Sequence, residues 1–365
     1  MSTQRLKVIL NADSDYDIRV GVGVLDTFAS RLRDETDAEK AVVITDSNVG
    51  PLYLERVREG LTQAGFEAFD LTVPAGEESK SIAVASELWE ALALLGLGRD
   101  GLIVGLGGGV AGDLAGFVAS TYMRGVDCVQ VPTTLLAMVD SSIGGKTGVN
   151  LVAGKNLVGT FKQPIHVLAD LETLRTLPTE EWDNGFAEIA KSALIDGPEF
   201  YQWLEGNAEA LLAHDEEITQ QAIVRALTFK ARVVASDVTE KGQRECLNYG
   251  HTFAHALEAA SGFRISHGRA VAEGMRFAAR LAVEAVGAPA AFADAQDALL
   301  NRLGLQPITE AFSADELYGR MFSDKKVRKG ALRFVLAQAP GQWESVAVDP
   351  DLVKIYLILW EQAKM

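Results

Sequence analysis

Short apolar runs alternate with segments of helical period through the first half of the chain. The runs LKVIL, AVVITD (41–46), FEAFDLTV (66–73), GLIVGLGGG (101–109) and VDCVQVPTT (126–134) have the length and β-branched content of strands. Between them, 49–65 and 81–95 repeat apolar positions with the period of a helix. Strands separated by such helices predict a largely parallel sheet with crossover helices.

After LADLETLRTLPTEEW the pattern changes, and helix-period segments replace the strands: 185–194, 218–236, 251–261, 269–285 and 290–303. Pro178 followed by Thr-Glu-Glu reads as a helix start, which places a domain boundary near Leu177 and Pro178. The expected organisation is an α/β domain over 1–177 and a mostly α-helical domain over 178–365. No internal repeat suggests a solenoid.

Composition agrees with a fully folded chain: of 365 residues, 48% are hydrophobic and 23% charged. The net charge of −16 opposes the long-range approach of nucleic acid or an anionic membrane. The N-terminus moves directly from polar residues into a strand-like run, without the apolar region of a secretory signal. The long apolar run from Gly105 to Met123 is broken by Asp113. A cytoplasmic protein is expected, with Cys128 and Cys246 as buried thiols rather than a disulfide.

Against this acidic background, cations near glycine-rich loops stand out. LIVGLGGGVAGD places Gly107, Gly109 and Gly112 in GxGxxG spacing after a strand and before a helix, where backbone N–H groups can meet a pyrophosphate. The loop falls about a hundred residues into the chain, unlike an ordinary first-strand dinucleotide fingerprint. A ribose acid must therefore come from elsewhere. Asp46, at the end of AVVITD, is either that acid or a helix cap before Asn48. The sequence GGKT at 144–147 resembles a phosphate-binding P-loop, but Asp140 occupies the position of its first glycine and disfavours triphosphate binding. Lys146, Lys155, Asn156 and the upstream Arg124 nevertheless form a candidate site for a phosphate or carboxylate.

Three of the five histidines fall between 251 and 267, the pattern of a metal site. His251 and His255 are one helical turn apart, so spacing alone pairs them as ligands and leaves His267 open. Glu188 and Lys191 share a face of an otherwise apolar helix. They are either a structural ion pair or catalytic groups.

Taken together, these segments resemble the 3-dehydroquinate synthases, sugar-phosphate cyclases of the shikimate pathway. The resemblance is carried by TDSNV, PAGEESKS, GGGVAGD, YMRG, QVPTTLLAMVDSSIGGKTGVN, GKN, FAEIAKSALI, RECLNYGHTFAHALE, SHGRAVAEGM and DKKVRKGALRFVL. It implies that Glu188, His251 and His267 bind zinc or cobalt, moving His255 from the metal to the substrate. It implies NAD against Asp46, Asn48, Glu77, Lys80, Gly107, Gly108, Gly109, Val110, Asp113, Thr133, Thr134, Asp140, Lys146 and Lys155. Substrate groups would be Arg124, Lys146, Asn156, Lys191, Lys230, Arg244, Asn248, His255 and one of Lys325 or Lys326, with Arg124 acting across a homodimer interface.

The implied substrate is 3-deoxy-D-arabino-heptulosonate 7-phosphate. The implied reaction runs through transient oxidation by NAD, loss of phosphate, reduction, ring opening and an intramolecular aldol to 3-dehydroquinate. Sequence pattern leaves two rivals, a valiolone- or deoxyinosose-type cyclase and a metal-dependent polyol dehydrogenase. Three positions depart from the family pattern: Arg269 stands where Glu is common, Ala254 where glycine is frequent, and Glu273 where an apolar residue is usual. The first removes an expected carboxylate beside the metal.

Overall fold

The computed structural model describes residues 2–10, 15–238, 242–323 and 332–364. Lys325 and Lys326 lie outside the described residues. The chain forms two compact units, Met1–Pro178 with Lys230–Thr239, and Thr179–Phe229 with Glu240–Met365.

In the first unit the strands are β1 (Gln4–Val8), β2 (Tyr16–Gly21), β3 (Lys40–Asp46), β4 (Glu67–Val73), β5 (Leu102–Gly107), β6 (Asp127–Pro132), β7 (Lys146–Leu151), β8 (Gly154–Phe161) and β9 (His166–Asp170). Seven of them make one sheet in the order β1-β2-β9-β6-β5-β3-β4. All its pairings are parallel except β1 with β2. The helices are α1 (Phe28–Leu32), α2 (Gly50–Gln63), α3 (Ile82–Leu94) and α4 (Gly109–Thr121).

Parallel strands covered by helices on both faces need apolar residues at every position, and the buried runs of β3 and β5 supply them. Alternate residues then serve opposite cores. Val43, Leu102 and Val104 pack with Val57 and Leu61 of α2, whereas Val42, Ile44 and Ile103 pack with Leu88 and Leu92 of α3 and Leu114 and Val118 of α4.

Two features depart from the strand pattern read along the sequence. Strands β2 and β9, which pair with each other between β1 and β6, complete the sheet, and β7 with β8 forms a separate antiparallel hairpin. The GKT at 145–147 runs into β7 rather than opening a helix, so it lacks the helix N-terminus that a P-loop uses.

The second unit contains α5 (Thr179–Asp196), α6 (Pro198–Leu212), most of α7 (Glu216–Ser236), α8 (His251–Ala260), α9 (His267–Val286), α10 (Ala290–Arg302), α11 (Ala314–Ser323) and α12 (Pro350–Gln362). It also holds a hairpin, β10 (Arg333–Ala339) with β11 (Gln342–Ala347), absent from the sequence reading. Helices α8 and α9 pack closely at two glycines. A Cβ on Gly274 would lie 2.0 Å from the Gly250 carbonyl oxygen, so glycine is required there. This approach brings the starts of α8 and α9, and with them His251 and His267, to Glu188. Among the described residues no helix is long and apolar enough to cross a membrane.

Candidate active site

In the first unit, β5 ends at Gly107 and α4 begins at Gly109, with Gly108 as a cap that has no side-chain hydrogen bond. The opening N–H groups of α4 therefore form a turn suited to an anion. Gly107, with φ of 154°, turns the chain so tightly that a Cβ would lie 2.7 Å from the Ala111 Cβ and 3.2 Å from Asp46 Oδ2. Asp46 Oδ1 accepts the N–H groups of Asn48 and Val49 at 2.8 and 3.0 Å in the turn ahead of α2, while its Oδ2 faces the glycine turn.

The remaining expected dinucleotide contacts surround this turn in part. The Thr133 N–H donates to the Gly107 carbonyl at 2.9 Å, and Thr134 Oγ1 accepts the Ala137 N–H at 3.1 Å, just before the π-helical turn that holds Asp140. Val110 lies in the first turn of α4, and Asp113 follows on the same helix, where buried Lys80 pairs with its carboxylate. Burial raises the Asp113 carboxyl above its ordinary value, and Lys80 only partly offsets it. Glu77 is exposed and accepts from Asn150 Nδ2 at 2.7 Å; Asn150 in turn accepts the Asn156 N–H at 2.9 Å, tying the 77–80 segment to the β7–β8 hairpin. Lys146, Asn48 and Arg124 are exposed, and Lys155 is half-buried. Lys230, which the family pattern gives to substrate, donates to the Asp140 carbonyl and carboxylate at 2.5 and 2.6 Å.

In the second unit, Glu188 on α5 is 1% exposed, and its Oε1 lies 3.4 Å from His251 Nε2 and 3.3 Å from His267 Nε2. All three donor atoms lie within 4.8 Å of one another. Donors around a tetrahedral ion held at about 2.0–2.1 Å are about 3.3 Å apart, so two imidazoles and a carboxylate at this spacing fit a divalent metal. The His255 ring is edge-on to His251 at 5.5 Å but lies outside the donor group. The i, i+4 pairing drawn from spacing is thereby corrected: the neighbouring helix, through His267, supplies the second imidazole.

Opposite charges crowd around the donors. Burial alone would raise the Glu188 carboxyl, but Lys191, packed against its other oxygen, and the two imidazoles hold it well below the usual carboxylate range. Burial and the nearby Lys191 push His251 down to about 4. Burial would lower His267 too, yet Glu188 and Glu258 raise it to about 10. His251 Nδ1 lies 3.0 Å from the Tyr249 carbonyl, which sets that ring with Nε2 toward Glu188. Arg244 is 1% exposed on the 3₁₀ segment Gln243–Asn248 that leads into α8, and half-buried Asn248 ends that segment.

Family models described as 3-dehydroquinate synthase N-terminal and 3-dehydroquinate synthase C-terminal match residues 70–184 and 185–327. The chain belongs to the 3-dehydroquinate synthase family. A 3-dehydroquinate synthase from Symbiobacterium thermophilum is 45% identical over 92% of this chain and 94% of its own length. Two solved cyclases have the same fold. One is 2-deoxy-scyllo-inosose synthase complexed with carbaglucose-6-phosphate, NAD+ and Co2+, at 28% identity and a TM-score of 0.86 over 98% of this chain and 99% of that one. The other is 2-epi-5-epi-valiolone synthase from Streptomyces hygroscopicus subsp. jinggangensis with NAD+ and Zn2+ bound. It too is 28% identical with a TM-score of 0.86, over 95% of this chain and 97% of that one.

The three positions that the resemblance marks as departures lie in different surroundings. Arg269 is exposed, with Asp183 as its electrostatic neighbour. Ala254 is fully buried where α8 crosses Gly274. Glu273, 2% exposed, accepts from Trp360 Nε1 at 2.7 Å and pairs with Lys364 at 2.8 Å, so a buried acid fastens α12 to α9.

Sequence reasoning missed two groups beside the donors. Asn184 lies one turn before Glu188 on α5, and Glu258 lies seven residues after His251 on α8. Their signal was a polar residue at helical spacing from a ligand on an otherwise apolar face.

Proposed function

We propose that the chain converts 3-deoxy-D-arabino-heptulosonate 7-phosphate to 3-dehydroquinate and phosphate, as a carbocycle-forming phosphorus-oxygen lyase that uses NAD and zinc or cobalt. The observation that carries this reading is the donor set of buried Glu188 with half-buried His251 and His267 in a chain of this family.

A bound metal ion would polarise a substrate hydroxyl, and NAD would accept and return a hydride. The 1–177 domain is assigned to NAD and the 178–365 domain to metal and substrate. Asp46, Asn48, Glu77, Lys80, the 107–113 turn, Thr133, Thr134, Asp140, Lys146 and Lys155 are assigned to the dinucleotide. The 107–113 turn offers N–H groups to the pyrophosphate, and Asp46 Oδ2 is directed at the same turn.

Substrate is assigned to Arg124, Lys146, Asn156, Lys191, Lys230, Arg244, Asn248, His255 and Lys325 or Lys326. Buried Arg244 suits two-point recognition of a carboxylate or phosphate. Lys191 holds Glu188 ionised as a ligand and brings an ammonium to the same place. His255 sits beside the donor group without joining it, placed to exchange a proton with substrate.

A homodimer is part of the proposal. Arg124 and Met123 are exposed with positive φ of 69° and 51°, and Thr160 Oγ1 donates to Ser120 Oγ, seating the hairpin near them. Exposed Leu151, Val152, Leu157 and Phe161 on that hairpin offer apolar surface to a second copy. The proposed location is the cytoplasm.

The test is a comparison of phosphate release from the heptulosonate phosphate and from sedoheptulose 7-phosphate, with NAD and zinc present. Turnover of the first substrate alone is expected. Turnover of the second alone would assign a different cyclase activity.

A further inference from the structure

His267 is bracketed by two carboxylates. Its Nε2 faces Glu188 Oε1 at 3.3 Å, and its Nδ1 faces Glu258 Oε1 at 3.5 Å. Glu258 is 7% exposed, on the helix face that also carries His251 and His255. The Ser261 hydroxyl and the Phe263 N–H both donate to its carbonyl, at 2.9 and 2.8 Å, so the end of α8 fixes its backbone. The other metal-capable imidazole is set differently, by a neutral carbonyl on Tyr249.

We infer that Glu258 is a positioning residue for the metal centre: its carboxylate receives the Nδ1–H of His267, fixes that ring with Nε2 toward Glu188 and strengthens it as a ligand. A carboxylate behind a ligating imidazole increases its basicity and holds one tautomer, a role in which loss of the outer group costs about 10–100-fold in metal affinity. Arg269, exposed on the first turn of α9, does not take this role, so the carboxylate comes from α8 instead. The inference rests on the metal assignment made for the proposed function.

The experiment titrates metal-free full-length protein with Co2+ and Zn2+ in competition with a chromophoric chelator, and records the Co2+ absorption bands. Glu258→Gln keeps the side-chain volume and an acceptor oxygen but removes the charge. It is expected to bind both metals about 10–100-fold more weakly than wild type and to shift the Co2+ bands. A purely structural role would leave affinity and bands unchanged, and affinity within about twofold of wild type with identical bands overturns the inference. If Glu258→Gln fails to fold, Glu258→Asp decides: it keeps the charge but withdraws it by one methylene, so weaker metal binding supports the inference and equal binding overturns it. Wild-type protein that binds neither metal would overturn the metal assignment itself, an outcome distinct from equal binding by wild type and variant.

Discussion

The Gly268 backbone N–H donates to Asn184 Oδ1 at 2.6 Å, joining the first turn of α9 to the helix that carries Glu188. Ser266, at the N-cap of α9, supplies no side-chain bond, so Asn184 provides the acceptor from another helix. His267 is thereby held next to its partner carboxylate by a bond made one residue further along the chain.

Asn184→Ala leaves that N–H buried and unpaired. We predict a loss of about 1–3 kcal/mol in the stability of the metal-free protein, together with weaker zinc binding. Urea unfolding and chelator competition check the two effects. Wild-type stability and affinity in the variant would mean that the clamp does not position His267.

Gly107→Ala tests the dinucleotide turn. Its Cβ would meet Ala111 Cβ at 2.7 Å, and φ of 154° already disfavours any side chain. Backbone strain of about 1–3 kcal/mol at the turn predicts NAD binding weakened about ten- to hundredfold, with zinc affinity in the absence of NAD unchanged. NAD titration by calorimetry reads the first and chelator competition the second. Full NAD affinity would remove the 107–113 turn from the site.

Much of this was legible from the chain. The apolar runs of β3 and β5 are buried on both faces and so appear without alternation, while Pro178 marks the approach to α5. Strand β9 was obscured because it runs into the 3₁₀ segment Leu171–Thr176, and β2 because Asp17 and Arg19 interrupt its apolar positions. At the metal site, helical spacing favoured His255. Local periodicity reports neighbours on one helix, whereas His267 arrives through the Gly250–Gly274 approach of two helices. Only the family pattern carried that long-range information.

Metal uptake is predicted to depend on pH through His267. In the metal-free protein its value is raised from 6.5 to about 10, so it is protonated at neutral pH and must lose that proton to bind metal. Below about pH 10, apparent zinc affinity should rise by about tenfold per pH unit from this group, with about one proton released per metal. The sign is opposite for the stability of the metal-free fold. The contribution of protonated His267 is fully present below 6.5 and is lost as pH rises through about 10. Chelator competition at several pH values and proton release in weak buffer check the first effect; an affinity independent of pH would refute it.

The most direct test of the central claim follows phosphate and NADH together after 3-deoxy-D-arabino-heptulosonate 7-phosphate is added to metal-stripped protein with NAD, before and after zinc is restored. The account predicts no phosphate before zinc, steady phosphate release after it, and no accumulation of NADH, because the hydride is returned in each turnover. NADH accumulating without phosphate release, or phosphate release that does not need the metal, would contradict it.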